Sequence, residues 1–417
     1  MRRPLFLLLL ATLALKAAVL AQLGNHPLLQ PAGDMDSGVY ARLAADVAHG
    51  DLLLRGPGPV PFFVSPLYVY FLAAIHALSA GSLLAAKVVQ IALGTAATGL
   101  VYATARRLFG DRAALVAGIL YALTGVVTFH EILILQAALD PFLTALALFL
   151  LADALTHGRV SSKVNGDGVP ATGGVSPGRW LAAGAAFGLL SLNRPNALLC
   201  VAAIAAALTV ARLVARSAPG SRRPSSSFEG ISLRTFLPAL ALLVGTAAIV
   251  ALPLVRNLVV SGEPVLISSH GGLNFLVGNG PGAIGVYRAL PGITPDIGGQ
   301  SADTRRVAEA EEGRRLSTRE VSGHFARKAW AWIFSEPGAA LSLFVKKVRL
   351  VLSGDEAPLN FSTPWYRERS LALKLLAVGP GLLVPLAGAG FVLALFASAG
   401  ASRRALFVWS AFIPAYV

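Results

Sequence analysis

The stretch LLAAKVVQIALGTAATGLVYATARR, residues 83–107, decides the fold class. It is a long, mostly apolar run that ends on two arginines, which is typical of a helix that crosses a bilayer, where about 20 apolar residues are needed. Only 13% of the 417 residues are charged, and the mean hydropathy is +0.67. This composition predicts an all-α polytopic membrane protein and excludes a disordered chain and an ordinary soluble enzyme. Further apolar runs lie at about 5–22, 113–130, 138–156, 180–211, 235–255 and 371–398.

The formal net charge is +14, from 35 Lys and Arg against 21 Asp and Glu. Basic residues collect in the cytoplasmic loops of membrane proteins, so this excess does not call for a nucleic-acid partner. We expect all five basic segments to face the cytoplasm, with an even number of crossings between each segment and the next. These segments are Arg2-Arg3, 106–112, 159–179, 212–234 and Arg403-Arg404.

This parity decides how two ambiguous stretches are interpreted. If 62–79 crossed the membrane, Arg106 and Arg107 would fall outside, so we expect an interfacial or re-entrant helix on the outer face. The run 180–211 must enter and leave from the cytoplasmic side and is therefore a hairpin. Because it is short for two full spans, its tip at 193–196 should lie below the outer surface.

The same reasoning divides the chain into three regions. Residues 1–255 form an N-terminal transmembrane module whose first outer loop is 23–82, and residues 256–370 form an extracytoplasmic loop domain. Residues 371–417 form C-terminal transmembrane helices. The last run, 405–417, is too short to cross a bilayer, so we expect the natural protein to be longer.

Two helices are expected in the outer loop domain, near 303–335 and 338–352. The second mixes three basic residues with apolar ones, which suits a helix on the membrane surface. The cytoplasmic loops 157–179 and 216–233 are rich in Gly, Ser and Pro and are predicted to be flexible.

Residues 268–285 are rich in glycine and predict a turn-rich polar loop over a cavity, in which Asn274 and Asn279 can bond sugar hydroxyls. The G-x-G-x-x-G pattern at 280–285 has a proline in its turn and no βαβ unit around it, so a dinucleotide site is rejected. The single cysteine, Cys200, lies in an apolar run, which excludes a disulfide framework and a thiolate metal site.

Acidic residues fall at two places on the predicted outer face. Asp36 opens a short amphipathic helix that Gly50 closes, and either Asp36 or Ser37 can serve as its N-cap. Glu131 and Asp140 flank the turn between the third and fourth spans. An acid at the start of a helix there is also stabilised by the positive end of the helix dipole. Acids converging on one membrane face could instead hold a divalent cation or orient an acceptor hydroxyl.

Two arginines are expected on the same face. Arg194 lies at the hairpin tip, where an arginine at membrane depth costs about 2.5–3.5 kcal/mol and usually faces a cavity or an anion. The alternative is snorkelling to lipid phosphate. Arg256 ends the span 235–255, and the same two interpretations apply to it.

With these features placed, the chain resembles the GT-C membrane glycosyltransferases of the family 39-like group, which includes protein O-mannosyltransferases and the aminoarabinose transferase of lipid A. The similarity is closest to bacterial members that often carry tetratricopeptide repeats, although no such repeat occurs here. It implies a GT-C-type helix bundle with extracytoplasmic loops. The features that carry it, in order, are Asp36-x3-Tyr40, Pro66-Leu67-Tyr68, Arg106-Arg107-Leu108-Phe109-Gly110, Leu139-Asp140-Pro141, Leu192-Asn193-Arg194-Pro195-Asn196, Arg256-Asn257, Gly271-Gly272-Leu273-Asn274-Phe275 and Gly278-Asn279.

The resemblance implies transfer of a sugar from a polyprenyl-phosphate donor to an acceptor hydroxyl, with inversion and with Asp36 as general base. Arg194, Arg256 and Tyr40 would bind the donor. No cofactor is certain, and a divalent metal ion on Asp36 and Asp140 stays open because relatives differ in metal use. The residues expected to contact acceptor or sugar are Glu131, Asp140, Asn274 and Asn279.

The resemblance also implies partners and a location. The partners are a polyprenyl-phosphate-linked sugar, membrane lipid, and a protein, lipid or glycan acceptor. The location is the inner (plasma) membrane, with the site on the extracytoplasmic side. Two alternatives stay open: a lipid-linked-sugar flippase or transporter, and a polysaccharide polymerase or ligase.

Overall fold

The computed structural model describes residues 2–56, 58–160, 176–217, 235–354, 361–397 and 400–413. These residues form α-helices, two short 3-10 helices (Pro27–Leu29 and Gln136–Ala138) and no strand, as the all-α prediction requires. The α-helices of the described residues are α1 (Arg2–Leu23), α2 (Asp36–Ala48), α3 (Pro66–Ser79), α4 (Leu83–Phe109), α5 (Asp111–Ala122), α6 (Gly125–Glu131), α7 (Asp140–Val160), α8 (Pro177–Asn193), α9 (Ala197–Ser217), α10 (Leu237–Ser261), α11 (Gly271–Asn279), α12 (Ile297–Glu312), α13 (Thr318–Ser335), α14 (Pro337–Leu352), α15 (Thr363–Arg367), α16 (Leu371–Leu375), α17 (Pro380–Ala397) and α18 (Gly400–Ser410).

Five helical segments in the described part of the chain are long and apolar enough to cross a membrane. The protein is therefore a multi-pass membrane protein, as its composition predicts. The five segments are Arg3–Leu23, Leu83–Phe109, Gln136–Thr156, Ala197–Val214 and Leu237–Ser261.

The predicted span 113–130 is not one helix, and this prediction is wrong. The chain breaks between α5 and α6, where the amide of Val378 donates to the Leu123 carbonyl at 3.1 Å. A Cβ at Gly125 would lie 2.6 Å from the Leu376 carbonyl oxygen, so this glycine permits the close approach of a distant segment. The break is thus imposed by tertiary packing, which a local apolar run does not reveal.

Two other predicted features are present: a helix within 62–79 that is too short to span a bilayer, and a helical hairpin at 180–211. The stretch 62–79 contains α3, whose 14 residues rise about 21 Å and cannot cross a hydrocarbon core of about 30 Å. The run 180–211 is the hairpin α8–α9, with its turn at Arg194–Asn196. The hairpin is longer than predicted, because its helices extend from Pro177 to Ser217.

Close helix crossing positions the hairpin tip. Helix α8 packs against α7 on one side and α10 on the other. A Cβ at Gly184 would lie 2.1 Å from the Leu242 carbonyl oxygen, and a Cβ at Gly245 would lie 2.2 Å from that of Leu181. Small residues at membrane helix contacts permit such packing. It brings the end of α8 beside the start of α7.

Residues 262–354, which we call the outer segment after their predicted location, have their own apolar cluster, built from α11, α12 and α13. The predicted helix 303–335 is two helices, because the chain turns at Gly313 (φ +68°) and Ser317 starts α13 with a capping box to Glu320. The predicted polar loop 268–285 contains α11, so that prediction is wrong for 271–279. Its residues Leu273, Leu276 and Val277 are buried, and this apolar face drives the helix.

Helix α14 matches the predicted 338–352 and exposes Leu341, Phe344 and Leu352. This exposure suits the predicted membrane-surface helix. Most of the predicted cytoplasmic loops 157–179 and 216–233 lies outside the described residues.

Candidate functional site

Helix α2 carries Asp36 at its first position. The residue that caps the helix is Met35, which makes no side-chain capping bond, so the predicted cap on Asp36 or Ser37 is wrong. Ser37 is buried, whereas Asp36 is partly exposed. Asp36 is instead the acidic residue in the first turn of α2, which is a favourable place for a negative charge.

One turn further along α2, Tyr40 is buried with 3% of its surface exposed. Its ring packs edge-on against Tyr68 of α3, with centroids 5.2 Å apart. Its hydroxyl lies 2.8 Å from the side-chain amide of Gln136, in the 3-10 helix that precedes α7. The first outer loop is therefore joined directly to the segment that leads to Asp140.

At the start of α7, Asp140 is bound by the tip of the α8–α9 hairpin. Asn193 Nδ2 donates to Asp140 Oδ1 at 2.6 Å, and Arg194 Nε donates to Asp140 Oδ2 at 2.7 Å. Asn193 is fully buried, while the Arg194 side chain is 34% exposed. The anionic partner predicted for Arg194 is thus at least in part Asp140.

Gln136 links these two groups. With its amide oxygen turned toward Arg194, the oxygen accepts from Arg194 Nη1 at 2.9 Å and the nitrogen donates to the Tyr40 hydroxyl at 2.8 Å. Asn193 Nδ2 also donates to the Gln136 backbone carbonyl at 2.9 Å. The sequence analysis missed Gln136, although a lone polar residue inside the apolar run before Asp140 is the pattern that could have revealed it.

The electrostatics of Tyr40 show that the charged groups converge. Burial is the main cause that raises the pKa of the Tyr40 phenol well above its usual range, and the charges of Asp36 and Asp140 raise it further. The charge of Arg194 acts in the opposite direction. Two carboxylates and one guanidinium therefore surround one buried phenol. We call this set, Asp36, Tyr40, Gln136, Asp140, Asn193 and Arg194, the rim cluster.

The outer segment closes over the start of α2. The amide of Gly298, in α12, donates to the Asp34 carbonyl at 3.2 Å. The pKa of the Tyr287 phenol is raised, mainly by burial and also by the charge of Asp36, although a hydrogen bond from Gln300 opposes the shift. Tyr287 is 38% exposed. Residues of the outer segment therefore lie close to the start of α2.

Glu131 does not belong to the rim cluster, and its predicted contact with sugar or acceptor stays a prediction. It is fully buried and forms an ion pair with Lys16 of α1, which is 1% exposed. Lys16 Nζ also lies 3.3 Å from the Thr128 hydroxyl. Burial in hydrocarbon makes such a pair costly to break, and the pair fastens α6 to α1.

Arg256 binds the first outer loop, and its predicted role as a donor ligand stays a prediction. Its guanidinium donates to the carbonyls of Leu53, Leu54 and Val60, and it lies 3.9 Å above the ring of Phe62. The residue is 8% exposed. It therefore fixes the end of the first outer loop on α10.

The two predicted asparagines lie on α11. Asn279 is held by Lys347 of α14, whose Nζ donates to its Oδ1 at 2.7 Å. Asn274 is exposed and lies 3.5 Å from the ring of His270. Neither residue is seen in contact with the rim cluster, so their role as sugar contacts stays a prediction.

The rim cluster as arranged does not fit a divalent cation on Asp36 and Asp140. Both oxygens of Asp140 already accept from Asn193 and Arg194, and a guanidinium beside the site opposes a second cation. Within the described ranges, no group of three or more His, Cys, Asp or Glu is placed to hold a metal ion.

Part of the chain, including two residues of the rim cluster, matches a known protein family. Residues 61–164 match the family model described as dolichyl-phosphate-mannose-protein mannosyltransferase. The resemblance to the GT-C family 39-like glycosyltransferases is confirmed. The matched segment includes Gln136 and Asp140, and it supports a glycosyltransferase activity of this class.

A solved structure is similar to this chain: the crystal structure of ArnT from Cupriavidus metallidurans bound to undecaprenyl phosphate. The sequence identity is 15% and the TM-score is 0.39, over 99% of this chain and 75% of that one. A likeness of this size carries no argument about ligand or activity. No curated protein matches the chain.

Proposed function

We propose that this GT-C protein transfers a sugar from a polyprenyl-phosphate carrier to an acceptor hydroxyl at the extracytoplasmic face of the inner (plasma) membrane. The observation that carries the proposal is the rim cluster, in which Asp36, Asp140 and Arg194 surround one buried tyrosine. The matching family model supports the donor class, because its description names a dolichyl-phosphate sugar.

Asp36 is the base in this proposal. It takes the proton of the acceptor hydroxyl, and the hydroxyl oxygen attacks the anomeric carbon from the face opposite the phosphate. The bond between that carbon and the phosphate oxygen breaks, so the configuration inverts and polyprenyl phosphate leaves. A carboxylate that is partly exposed at a helix start is accessible to an acceptor and held still by the helix.

Arg194 stabilises the leaving phosphate. Asp140 and Gln136 bind two of its nitrogens, which fixes the plane of the guanidinium. The Arg194 side chain is 34% exposed, so an anion can reach it. A charge-assisted bond to the departing phosphate is stronger in the transition state than in the ground state, because charge grows on the phosphate. Tyr40 supports this arrangement by holding Gln136.

A flippase without chemistry has less support. Such a protein would need polar residues along a path through the spans. Polar side chains do lie inside the bundle, but Lys16 and Glu131 are paired and almost fully buried. A closed ion pair of this kind fastens helices and offers no open polar path.

The test is transfer by the purified full-length protein in liposomes that contain a polyprenyl-phosphate sugar as the donor. Transferred sugar is measured by mass spectrometry on candidate peptides, lipids and glycans, and the same analysis of glycans and glycoproteins in a deletion strain supplies the acceptor class. Sugar crossing the liposome membrane without any transferred product would replace the proposal with the flippase alternative. A product found only on polysaccharide would favour the polymerase or ligase.

A further inference from the structure

Gln90 lies inside the bundle on α4 and none of its surface is exposed. Its Nε2 donates to the carbonyl oxygens of Glu131 at 2.7 Å and of Leu133 at 2.9 Å. Its Oε1 accepts from the Tyr68 hydroxyl at 2.8 Å. Both ends of this amide are thus used, and each end holds a different part of the chain.

The two parts are the two walls of the rim cluster. Tyr68 packs edge-on against Tyr40, on the helix that begins with Asp36. On the other side, residues 131–133 lead directly into the 3-10 helix that carries Gln136 and then to Asp140. Gln90 therefore touches both walls from within the bundle, without itself belonging to the rim cluster.

We propose that Gln90 is a positioning residue for the transfer reaction, which sets the separation of the wall bearing Asp36 from the wall bearing Asp140 and Arg194. This inference rests on the proposed function. An amide costs free energy to bury and is retained where its hydrogen bonds specify one arrangement. An apolar residue of similar size would fill the same space in a membrane protein at less cost.

A second contact holds the same segment, so loss of Gln90 can be tested without loss of the fold. The ion pair of Lys16 with Glu131 holds the side chain of the same segment that Gln90 holds by its backbone. Loss of Gln90 alone therefore leaves α6 fastened to α1. The expected defect is a loosened separation of the two walls in a folded protein.

The first experiment measures kcat and KM for Gln90→Met, which keeps the volume and removes all three hydrogen bonds. We expect kcat to fall by about 10–100-fold, since small misplacements of reacting groups cost this much, while the KM for the donor changes far less. Gln90→Glu should recover part of the loss, because a carboxylic acid kept neutral by burial retains the acceptor for Tyr68 and one donor.

Thr98→Val is the matched control. Thr98 is equally buried on α4, but its hydroxyl bonds only to the Gly94 carbonyl of its own helix, at 3.3 Å. This variant should keep the wild-type kcat. If Thr98→Val lost as much activity as Gln90→Met, or if Gln90→Met kept the wild-type kcat, the positioning role would be overturned.

The second experiment does not depend on activity. Spin labels at Asp46 of α2 and Asn196 of the hairpin tip, both exposed, report the separation of the walls in a Cys200→Ala background. Gln90→Met should broaden the distance distribution, and Thr98→Val should leave it unchanged. If the distance distribution broadens but the wild-type protein shows no transferase activity, Gln90 still positions the walls, and the proposed function is contradicted. An unchanged distribution would overturn the inference itself.

Discussion

Arg194 Nε lies 2.7 Å from Asp140 Oδ2, so the arginine at the hairpin tip and the acid at the start of α7 form one ion pair. The pair is partly exposed, with 34% and 19% of the two side chains accessible. Arg194 is therefore not a snorkelling residue alone, because its head group is bound within the protein. Kinetic comparison of Arg194 variants with an Asp140 variant shows whether Arg194 also binds the donor phosphate.

Arg194→Lys should lower the kcat/KM for the polyprenyl-phosphate sugar by about 10-fold or more, through both a higher donor KM and a lower kcat, and Arg194→Ala should lower it further. A charged hydrogen bond contributes about 1.5–3 kcal/mol, and lysine cannot reproduce the fork that meets Asp140 and Gln136. The measurement is transfer rate against donor concentration in one lipid composition, repeated against acceptor concentration.

Two variants serve as comparisons for this prediction. Asp140→Asn removes the ion pair but leaves the guanidinium, so it should affect donor KM less than Arg194→Lys. Arg42→Lys changes an exposed arginine of α2 that pairs with Asp34, and it should leave the donor KM unchanged. Equal defects in Asp140→Asn and Arg194→Lys, with donor KM unchanged, would reduce Arg194 to a structural partner of Asp140.

Asp36→Asn should lower kcat by about 10²–10⁴-fold, the usual contribution of a positioned general base. The change keeps the size of the side chain, and Met35, not Asp36, is the N-cap of α2, so the thermal unfolding midpoint should hardly move. Asp34→Asn is the control, since the Asp34 side chain is 68% exposed and pairs with Arg42. An active Asp36→Asn protein beside an inactive Asp34→Asn protein would assign the base to Asp34.

Local patterns in the sequence were enough for most of the spans, for the α8–α9 hairpin and for the proximity of Asp36, Asp140 and Arg194, but not for the broken helix at 113–130. Length and hydropathy determine which segments cross a membrane, and the positive-inside rule gives their parity. Helix α3 could be excluded as a span in the same way.

Partners far apart in the sequence could not be predicted. Arg256 reaches the carbonyl of Leu53, and Glu131 reaches Lys16. In each case the residue type was informative, since buried charges need partners, but nothing local distinguishes a protein partner from a ligand. For both residues the family resemblance predicts a ligand contact, whereas the partners seen in the structure lie within the protein. The break before Gly125 has the same origin, because it depends on the distant Leu376 carbonyl.

The burial of His270 indicates how the free energy of unfolding changes with pH. Burial lowers the pKa of this imidazole from 6.5 to about 4, and its ring packs against Phe63 at 4.6 Å between centroids. The unfolded chain binds the proton more readily, so stability is complete above pH 6.5 and falls as the pH drops toward 4. At pH 5 the loss is about 2 kcal/mol.

The measurement for His270 is the thermal midpoint of the full chain in detergent at pH 7.5 and pH 5. Wild type should lose more than His270→Gln, which cannot be protonated. The pKa of Glu320 is lowered to about 2 by Arg314 and Ser317, so its contribution is lost mainly at more acidic pH. Equal losses in wild type and His270→Gln would show that another group controls this window.

The membrane topology is tested by labelling single cysteines in a Cys200→Ala background, where the native cysteine is buried. Cysteines placed in 157–179 and 216–233 should resist a membrane-impermeant reagent in intact cells. Cysteines in 30–80 and 256–370 should react, because the basic segments alternate with these regions. Labelling of 216–233 from outside would contradict the parity argument and would move the rim cluster to the cytoplasmic side.

Arg256→Gln should destabilise the protein without changing the KM for the donor. Arg256 binds the carbonyls of Leu53, Leu54 and Val60, so its loss leaves buried acceptors unpaired and frees the end of the first outer loop. Each lost charged hydrogen bond costs about 1.5–3 kcal/mol, which should lower the thermal midpoint and expose the loop to protease near Leu53.

The comparison for this variant is Arg288→Gln in the outer segment. Arg288 is exposed and donates to a single carbonyl, that of Gly282, at 2.8 Å. Its loss should change neither the thermal midpoint nor the cleavage near Leu53. A higher donor KM in Arg256→Gln at an unchanged thermal midpoint would restore Arg256 as a donor ligand. That result would require the guanidinium to leave the first outer loop when the donor binds, since almost none of it is accessible while it holds those carbonyls.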